Sequence, residues 1–371
     1  MLLHFPDAAR TAIAFAIVLG VLVFVHELGH YLAARWRGVH VETFAIGFGH
    51  PLARWTDRRG TVWKLGWLPL GGFVKLHGQG LAGGTEPAPS DGPLRPGRTF
   101  HDKPVLSRAI VVAAGPVANF LLAIVLFAAL FATAGRPVAL PVVGEVTPNS
   151  AAARGGLAPG DRILAINGTE ISRFQDIQRI VQARPDTVLA LSVQRDGKEI
   201  PLAVTTGSRE QNGSRIGLLG ISGGAAILER LSPPAALVAG TEETWQIARD
   251  TAVSLWQMLR GQRGADDLGG PLRIAELSGQ VARLGVPSLV SFIALLSVNL
   301  GLINLFPVPV LDGGHLLFYL AEVLLGRPIP ARAQEIGLRA GFAVLVGVFV
   351  FATWNDLSHF GLFRWIAGLI G

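Results

Sequence analysis

The chain has no cysteine and few charged residues for its length of 371. Without thiols it can form neither disulfides nor thiolate metal sites, so a zinc site would have to use histidine, aspartate or glutamate. Charged residues make up 16% of the chain, whereas hydrophobic residues make up 50%. This is more apolar than a soluble enzyme of this length needs. The composition therefore predicts an integral membrane protein.

The basic residues outnumber the acidic ones and give a formal net charge of +6. Such an excess can indicate nucleic-acid binding, but here lysine and arginine concentrate in loops beside apolar segments. That distribution is typical of membrane topology. We therefore expect the lipid bilayer as a partner and no nucleic acid.

Four segments have the length and apolarity of membrane spans, namely 8–36, 109–134, 288–306 and the shorter 341–354. The loops after the first and third spans are rich in lysine and arginine, which places them on the cytoplasmic side. The stretch 136–287 and both termini are then expected outside the cytoplasm. The fold class is predicted to be membrane α-helical with about four transmembrane helices.

The remaining segments differ from the spans in composition. Residues 39–48 and 61–76 favour short strands, which we interpret as a membrane-associated β-hairpin region, and 79–97 is predicted to be a flexible loop. Alternating apolar residues and an Asn-Gly turn predict a β-rich domain. Four parts follow: an N-terminal membrane half at 1–140, the β-rich domain at 141–222, an extracytoplasmic amphipathic helical segment at 223–287, and a C-terminal membrane half at 288–371.

The motif His26-Glu27-Leu28-Gly29-His30 lies at the end of the first apolar span. Residues four apart share one face of a helix, so His26 and His30 can bind one metal ion while Glu27 serves as a general base. Zinc in a hydrolase normally has three protein ligands and keeps a fourth position for water. The pattern therefore predicts a third ligand elsewhere in the chain.

Asp312 is the candidate for this third ligand. It follows two prolines and precedes two glycines at the end of the third span, and a broken helix at membrane depth indicates a functional site. The alternative is that Asp312 caps the helix that follows. Beside an unfinished two-histidine site, the ligand interpretation is the stronger one.

With these motifs the chain resembles the site-2 protease family of intramembrane zinc metalloproteases, in its bacterial RseP/RasP form. H-E-x-x-H at 26–30 and L-D-G at 311–313 match the metal motifs of that family. Segments 69–75, 100–104 and 114–120 resemble its membrane hairpin and second-span signatures. The segment 156–168 resembles a PDZ domain, and the length of this region suffices for one such domain.

The resemblance implies one zinc ion held by His26, His30 and Asp312, with Glu27 taking a proton from the attacking water. It implies that Asn304 and the hairpin residues bind an unwound substrate; the hairpin residues are Gly72, Phe73, Val74 and Lys75. In a permuted PDZ domain the loop that captures a peptide carboxylate would fall late in the domain; its residues would be Ile216, Gly217, Leu218 and Gly220.

The function implied is regulated intramembrane proteolysis of single-span membrane proteins. Anti-sigma factors or remnant signal peptides would be cut after another protease has made a first cut. The site would lie in the bacterial inner membrane, towards its cytoplasmic side, with the PDZ domain outside. One alternative is a PDZ-bearing scaffold with an inactive zinc site, although a structural site needs no Glu27. The other is a metal-ion transporter, which would require paired broken helices that the sequence lacks.

Overall fold

The computed structural model describes residues 7–78, 97–211, 214–262, 264 and 269–359. They form two compact units, one made of Met1–Leu130 with Pro233–Gly371 and the other of Phe131–Ser232. The helices in chain order are α1 (Asp7–Trp36), α2 (Val105–Thr133), α3 (Ala151–Arg154), α4 (Phe174–Gln182), α5 (Pro233–Leu259), α6 (Pro271–Arg283), α7 (Val286–Asn304), α8 (Asp312–Leu325) and α9 (Ala331–His359).

The strands in chain order are β1 (Val41–Thr56), β2 (Val62–Leu76), β3 (Arg136–Ala139), β4 (Val143–Val146), β5 (Arg162–Ile166), β6 (Thr169–Glu170), β7 (Val188–Arg195), β8 (Lys198–Thr205), β9 (Gly207–Gln211), β10 (Ser214–Leu218), β11 (Ile221–Gly223) and β12 (Ala226–Glu229). The predicted loop at 79–97 lies, apart from Gly97, outside the described residues.

Within the described part of the chain, four helices are long and apolar enough to cross a membrane: α1, α2, α7 and α9. The fourth is longer than the predicted 341–354, because α9 begins at Ala331. Its first turns carry polar residues, including the pair Arg339 and Glu335 at 2.6 Å. A hydropathy pattern detects only the apolar part of a helix, so the prediction missed this polar start.

The hairpin of β1 and β2 belongs to the same unit as the membrane helices. The strands are antiparallel and strongly irregular, since Thr43 pairs with both Lys75 and Val62. The first strand extends to Thr56, beyond the predicted end at 48. An aromatic cluster joins the hairpin to α1, with the Phe44 ring 5.8 Å from Tyr31 and 4.4 Å from Trp63.

Helices α5 and α6 also belong to the membrane unit, in the segment predicted to be a separate helical part at 223–287. Helix α6 packs on α1 so closely that a side chain at Gly279 would meet Thr11. Its first backbone N–H groups are capped from another helix: the carboxylate of Asp356, 2% exposed on α9, accepts from Gly270 at 2.8 Å and Leu272 at 3.0 Å.

The second unit contains the β-rich region predicted from the sequence, and we call it the PDZ-like domain after the sequence resemblance at 156–168. A four-stranded sheet in the order β6-β5-β7-β8 packs its apolar face into a core around Ile163, Ile166 and Leu191. The unit extends beyond the predicted 141–222 at both ends, because β3 pairs with β12, with Val138 opposite Ile227. This ribbon closes the two ends of the domain against each other.

Candidate metal centre

Three ligand-type side chains converge where α1 meets the start of α8. The Nε2 atom of His26 lies 3.3 Å from Asp312 Oδ2 and 3.3 Å from His30 Nε2. His30 Nε2 lies 3.5 Å from the same Asp312 oxygen. Within the described residues, this is the one group of three or more such side chains close enough to hold a metal ion.

The local sequence explains how Asp312 reaches the two histidines. Helix α7 ends at Asn304, and α8 begins at Asp312 after a turn that contains Pro307 and Pro309. The chain folds back so tightly that a Cβ atom at Gly313 would lie 2.2 Å from the carbonyl oxygen of Leu305. Only glycine fits this close backbone approach. The two glycines after Asp312 therefore bring α8 against the end of α7.

The three atoms have the separations that zinc requires. Ligand atoms about 2.0–2.2 Å from a tetrahedral zinc ion lie roughly 3.3–3.6 Å apart. Asp312 Oδ2 is also buried and has no hydrogen-bond partner among the described residues. A buried carboxylate oxygen without a partner is costly, and a metal ion removes that cost. Two imidazoles and one carboxylate are a common zinc ligand set, so these residues fit zinc.

Glu27 lies next to this cluster and against the hairpin. The backbone of Val74 lies beside the carboxylate of Glu27. A Cβ atom at Gly72 would lie 3.1 Å from Glu27 Cγ and 2.8 Å from Val23 Cγ1. Strand β2 therefore runs directly past the side chain that sequence analysis predicts to be the base.

The other predicted substrate-binding residues have different surroundings. Phe73 pairs with Ala45 on β1. Lys75 makes a 2.8 Å ion pair with Glu42, and both side chains are largely buried. This pair holds the hairpin together, so the Lys75 ammonium already has a partner. The Asn304 amide donates a 3.0 Å hydrogen bond to the carbonyl of Leu300 in its own helix.

Helix α2 packs against one side of both histidine rings. The Nδ1 atom of His30 lies 2.9 Å from the carbonyl oxygen of Val111, and the Nδ1 atom of His26 lies 3.2 Å from the side-chain nitrogen of Asn119. At Gly115, between them, a Cβ atom would lie 2.3 Å from His30 Nε2. The sequence identifies 114–120 only as a segment that resembles a second-span signature, and it does not connect Asn119 with the metal ligands. Val111, Gly115 and Asn119 are spaced by four residues, and this spacing is the only sign in the sequence that they share one helix face.

The residues predicted to form the PDZ peptide loop lie in the other unit. Ile216, Gly217 and Leu218 belong to strand β10, which pairs with β9. A Cβ atom at Gly217 would lie 2.1 Å from the carbonyl oxygen of Val181 at the end of α4. The turn itself comes two residues later, at Gly220, whose φ is +79°. Three of the four predicted residues are therefore in a strand, and the fourth is in the turn.

Comparison with known proteins gives matches over almost the whole chain. The sequence model of peptidase family M50 matches residues 14–348. A Rhizobium meliloti protein that bears a zinc metalloprotease name is 44% identical over 96% of this chain and 99% of its own length. Metalloprotease MmpA of Caulobacter vibrioides is 39% identical over 95% of this chain and 96% of its own.

More distant matches extend the comparison. Regulator of sigma-E protease RseP of Salmonella typhimurium is 32% identical over 93% of this chain and 98% of its own. Among solved structures, the PDZ domain of an SdrC-like protein from Listeria monocytogenes is 18% identical, with a TM-score of 0.20, over 22% of this chain and 83% of its own.

Proposed function

The chain belongs to peptidase family M50 and is a zinc metalloprotease, and we propose that it cuts single-span membrane proteins inside the bilayer after another protease has trimmed them. The observation that carries this proposal is the convergence of His26, His30 and Asp312 beside Glu27, with both histidines and Glu27 on α1, a helix long enough to span a membrane. A relative is named as a regulator of sigma-E protease. Together with the family resemblance of the sequence, this name makes anti-sigma factors and remnant signal peptides the candidate substrates.

We assign one zinc ion to His26, His30 and Asp312. When bound, zinc polarises a carbonyl group and lowers the pKa of a water molecule. The carboxylate of Glu27 takes the proton of the attacking water and later returns it to the leaving amine.

The hairpin supplies the surface on which a substrate is unwound. A helix hides its amides, so the scissile segment has to become extended before attack. Strand β2 passes Glu27 at Gly72 and Val74, so an extended substrate added along this stretch would lie beside the base. Asn304, near the break before Asp312, is expected to hydrogen-bond the substrate backbone once it leaves Leu300.

The zinc site is proposed to lie towards the cytoplasmic side, and the PDZ-like domain outside the cytoplasm. The basic loop after α1 and the basic link around Arg327 support this orientation. A domain on the far side of the membrane cannot supply catalytic groups. We assign it the exclusion of substrates whose extracytoplasmic part is still bulky.

Cleavage by the purified full chain tests the enzymatic proposal. A single-span substrate is mixed with the protein in lipid vesicles, and the products are mapped by mass spectrometry. We expect cuts within the apolar span that a zinc chelator stops and added zinc restores. Cuts confined to soluble flanking segments would contradict intramembrane proteolysis.

Removal of the PDZ-like domain tests the exclusion role. The backbone N–H of Leu140 donates to Ala225 at 2.9 Å, and that of Gly224 donates to Val142 at 2.9 Å, so the ends of a deletion of 143–223 already lie side by side. With a two-glycine linker, this variant should cut trimmed and untrimmed substrates equally well. Adding Glu27→Gln to the deletion is the control. An unchanged preference for trimmed substrate in a zinc-loaded deletion would exclude the role.

A further inference from the structure

The second ring nitrogen of His26 faces the side-chain amide of Asn119. The side-chain nitrogen of Asn119 is placed 3.2 Å from His26 Nδ1, and Asn119 is fully buried in α2. The other ring nitrogen of His26, Nε2, is the one that faces His30 and Asp312. A neutral imidazole carries one proton, so whatever Asn119 does at Nδ1 decides whether Nε2 has a free lone pair.

The two ends of a side-chain amide have nearly the same shape, so its orientation is decided by its hydrogen-bonding partners. If the amide NH2 faced Nδ1, the ring proton would lie on Nε2 and point into the ligand cluster. If the amide oxygen faces Nδ1, it accepts the Nδ1–H and leaves the Nε2 lone pair free. With the NH2 group facing Nδ1, as placed, the side-chain oxygen has no hydrogen-bond partner among the described residues. Metal binding requires a free lone pair on Nε2, and this requirement favours the orientation in which the amide oxygen faces Nδ1.

We propose that Asn119 is a positioning residue for the metal site: its side-chain oxygen accepts the Nδ1–H of His26 and so presents Nε2 to the metal. This inference rests on the ligand set of the proposed function. Partners of this kind fix the tautomer and the ring angle of a ligating histidine, and losing one typically weakens metal binding about 10–100-fold.

The same helix does the equivalent for His30. The carbonyl oxygen of Val111 lies 2.9 Å from His30 Nδ1, and only a ring N–H can bond to a carbonyl oxygen. Val111, Gly115 and Asn119 are spaced by four residues and share one face of α2. The missing side chain at Gly115 lets both rings lie against this face. One helix face therefore sets the tautomers of both histidine ligands.

The chain also offers a matched control. Ser297 on α7 donates a 2.8 Å hydrogen bond to the backbone carbonyl of Asn119, and both residues are buried. Ser297→Ala removes this contact between α2 and α7 without touching His26. If Asn119 mattered only for helix packing, Ser297→Ala and a nonpolar substitution of Asn119 would have similar effects.

The test measures zinc affinity in the purified full chain by competition with a chromophoric chelator. Asn119→Leu keeps the size but removes the acceptor, and we expect it to bind zinc about 10–100-fold more weakly. Asn119→Asp keeps an acceptor and should stay within a few-fold of the wild type, as should Ser297→Ala. Equal affinities in the wild type and Asn119→Leu would overturn the inference. A wild type that binds no zinc would instead overturn the proposed function.

A spectroscopic readout on the unmodified chain decides the question even if Asn119→Leu does not fold. With 15N-labelled histidine, the His26 signals are identified by their loss in His26→Gln. In the wild type, Nδ1 of His26 should carry the ring proton, and this proton should exchange slowly with solvent. Nε2 should be unprotonated. A proton on Nε2 together with an unprotonated Nδ1 would show that Asn119 faces the ring with its NH2 group, and the inference would be wrong.

Discussion

Single charged residues have consequences outside the metal site as well. In the PDZ-like domain, Arg195 lies 2.7 Å from the fully buried carboxylate of Asp161, and this hydrogen bond lowers the pKa of Asp161 below its usual value. Because the folded-state pKa is lowered, the pair stabilises the domain above the unfolded pKa of about 4. That stabilisation is lost as the pH falls through the folded-state value.

Arg195→Met should therefore lower the hydrogen-exchange protection of the β5 core amides at neutral pH, on the order of tenfold. The difference from the wild type should shrink as the pH falls below about 4. Arg215→Met is the control, since its pair with Asp186 is exposed and should contribute little. A difference that stayed constant from pH 7 to pH 3 would show that Asp161 is not the source.

The metal site shows which residues a sequence can reveal. Helical spacing is enough to propose His26 and His30 as ligands, whereas Asp312 becomes a candidate only when the broken helix around it is considered beside this two-histidine site. Asn119 could not be found in this way, because its role depends on α2 lying beside α1. Spacing along one helix predicts which residues share a face, but it does not predict which other helix will face them.

At the scale of elements, β2 is the part of the structure that couples the hairpin to the site. Its glycine at position 72 lies where a methyl group would meet Ala45 O at 2.7 Å, as well as the Val23 and Glu27 side chains. A strand cannot relieve such contacts without moving away from α1. The close approach of β2 to α1 at Gly72 therefore fixes the position of the hairpin relative to Glu27, the proposed base.

Gly72→Ala should reduce cleavage about 100-fold, since small displacements in an active site have effects of this size. Zinc content should stay at the wild-type level, because the atoms nearest to a Cβ at Gly72 belong to Ala45, Val23 and Glu27 and not to the proposed ligands. Gly20→Ala, on the same helix as Glu27 but with open space around it, should leave cleavage unchanged. Wild-type turnover of Gly72→Ala would mean that the hairpin does not have to lie against α1.

Element boundaries were harder to predict than the elements themselves. The sequence predicted four spans, and the described residues contain four helices that can span a membrane. The predicted end of β1 at 48 was too early, because the strand continues through Pro51, which a local pattern reads as a stop. Pairing with β2 supports this continuation: Arg54 lies opposite Lys64. Such pairing overrides local preference and is invisible in one segment.

At the scale of the whole molecule, topology follows from where the basic residues lie relative to the spans. The absence of cysteine makes this testable without background labelling. A single cysteine at Arg327 should react with an impermeant reagent only after the cytoplasmic face is opened, and one at Asp196 should react in cells whose inner membrane is intact. Labelling of a cysteine at position 327 in such cells would contradict the proposed orientation.

In the proposed mechanism the metal ligands and the base have separate roles, and paired measurements of zinc content and cleavage distinguish these roles. Glu27→Gln should keep one zinc ion per chain and lose cleavage of a single-span substrate by at least 100-fold, because only the base is removed. Asp312→Ala should lose both zinc and cleavage. Full zinc occupancy and activity in Asp312→Ala would contradict the role of Asp312 as a ligand. Cleavage by Glu27→Gln at the wild-type rate would contradict the role of Glu27 as the base.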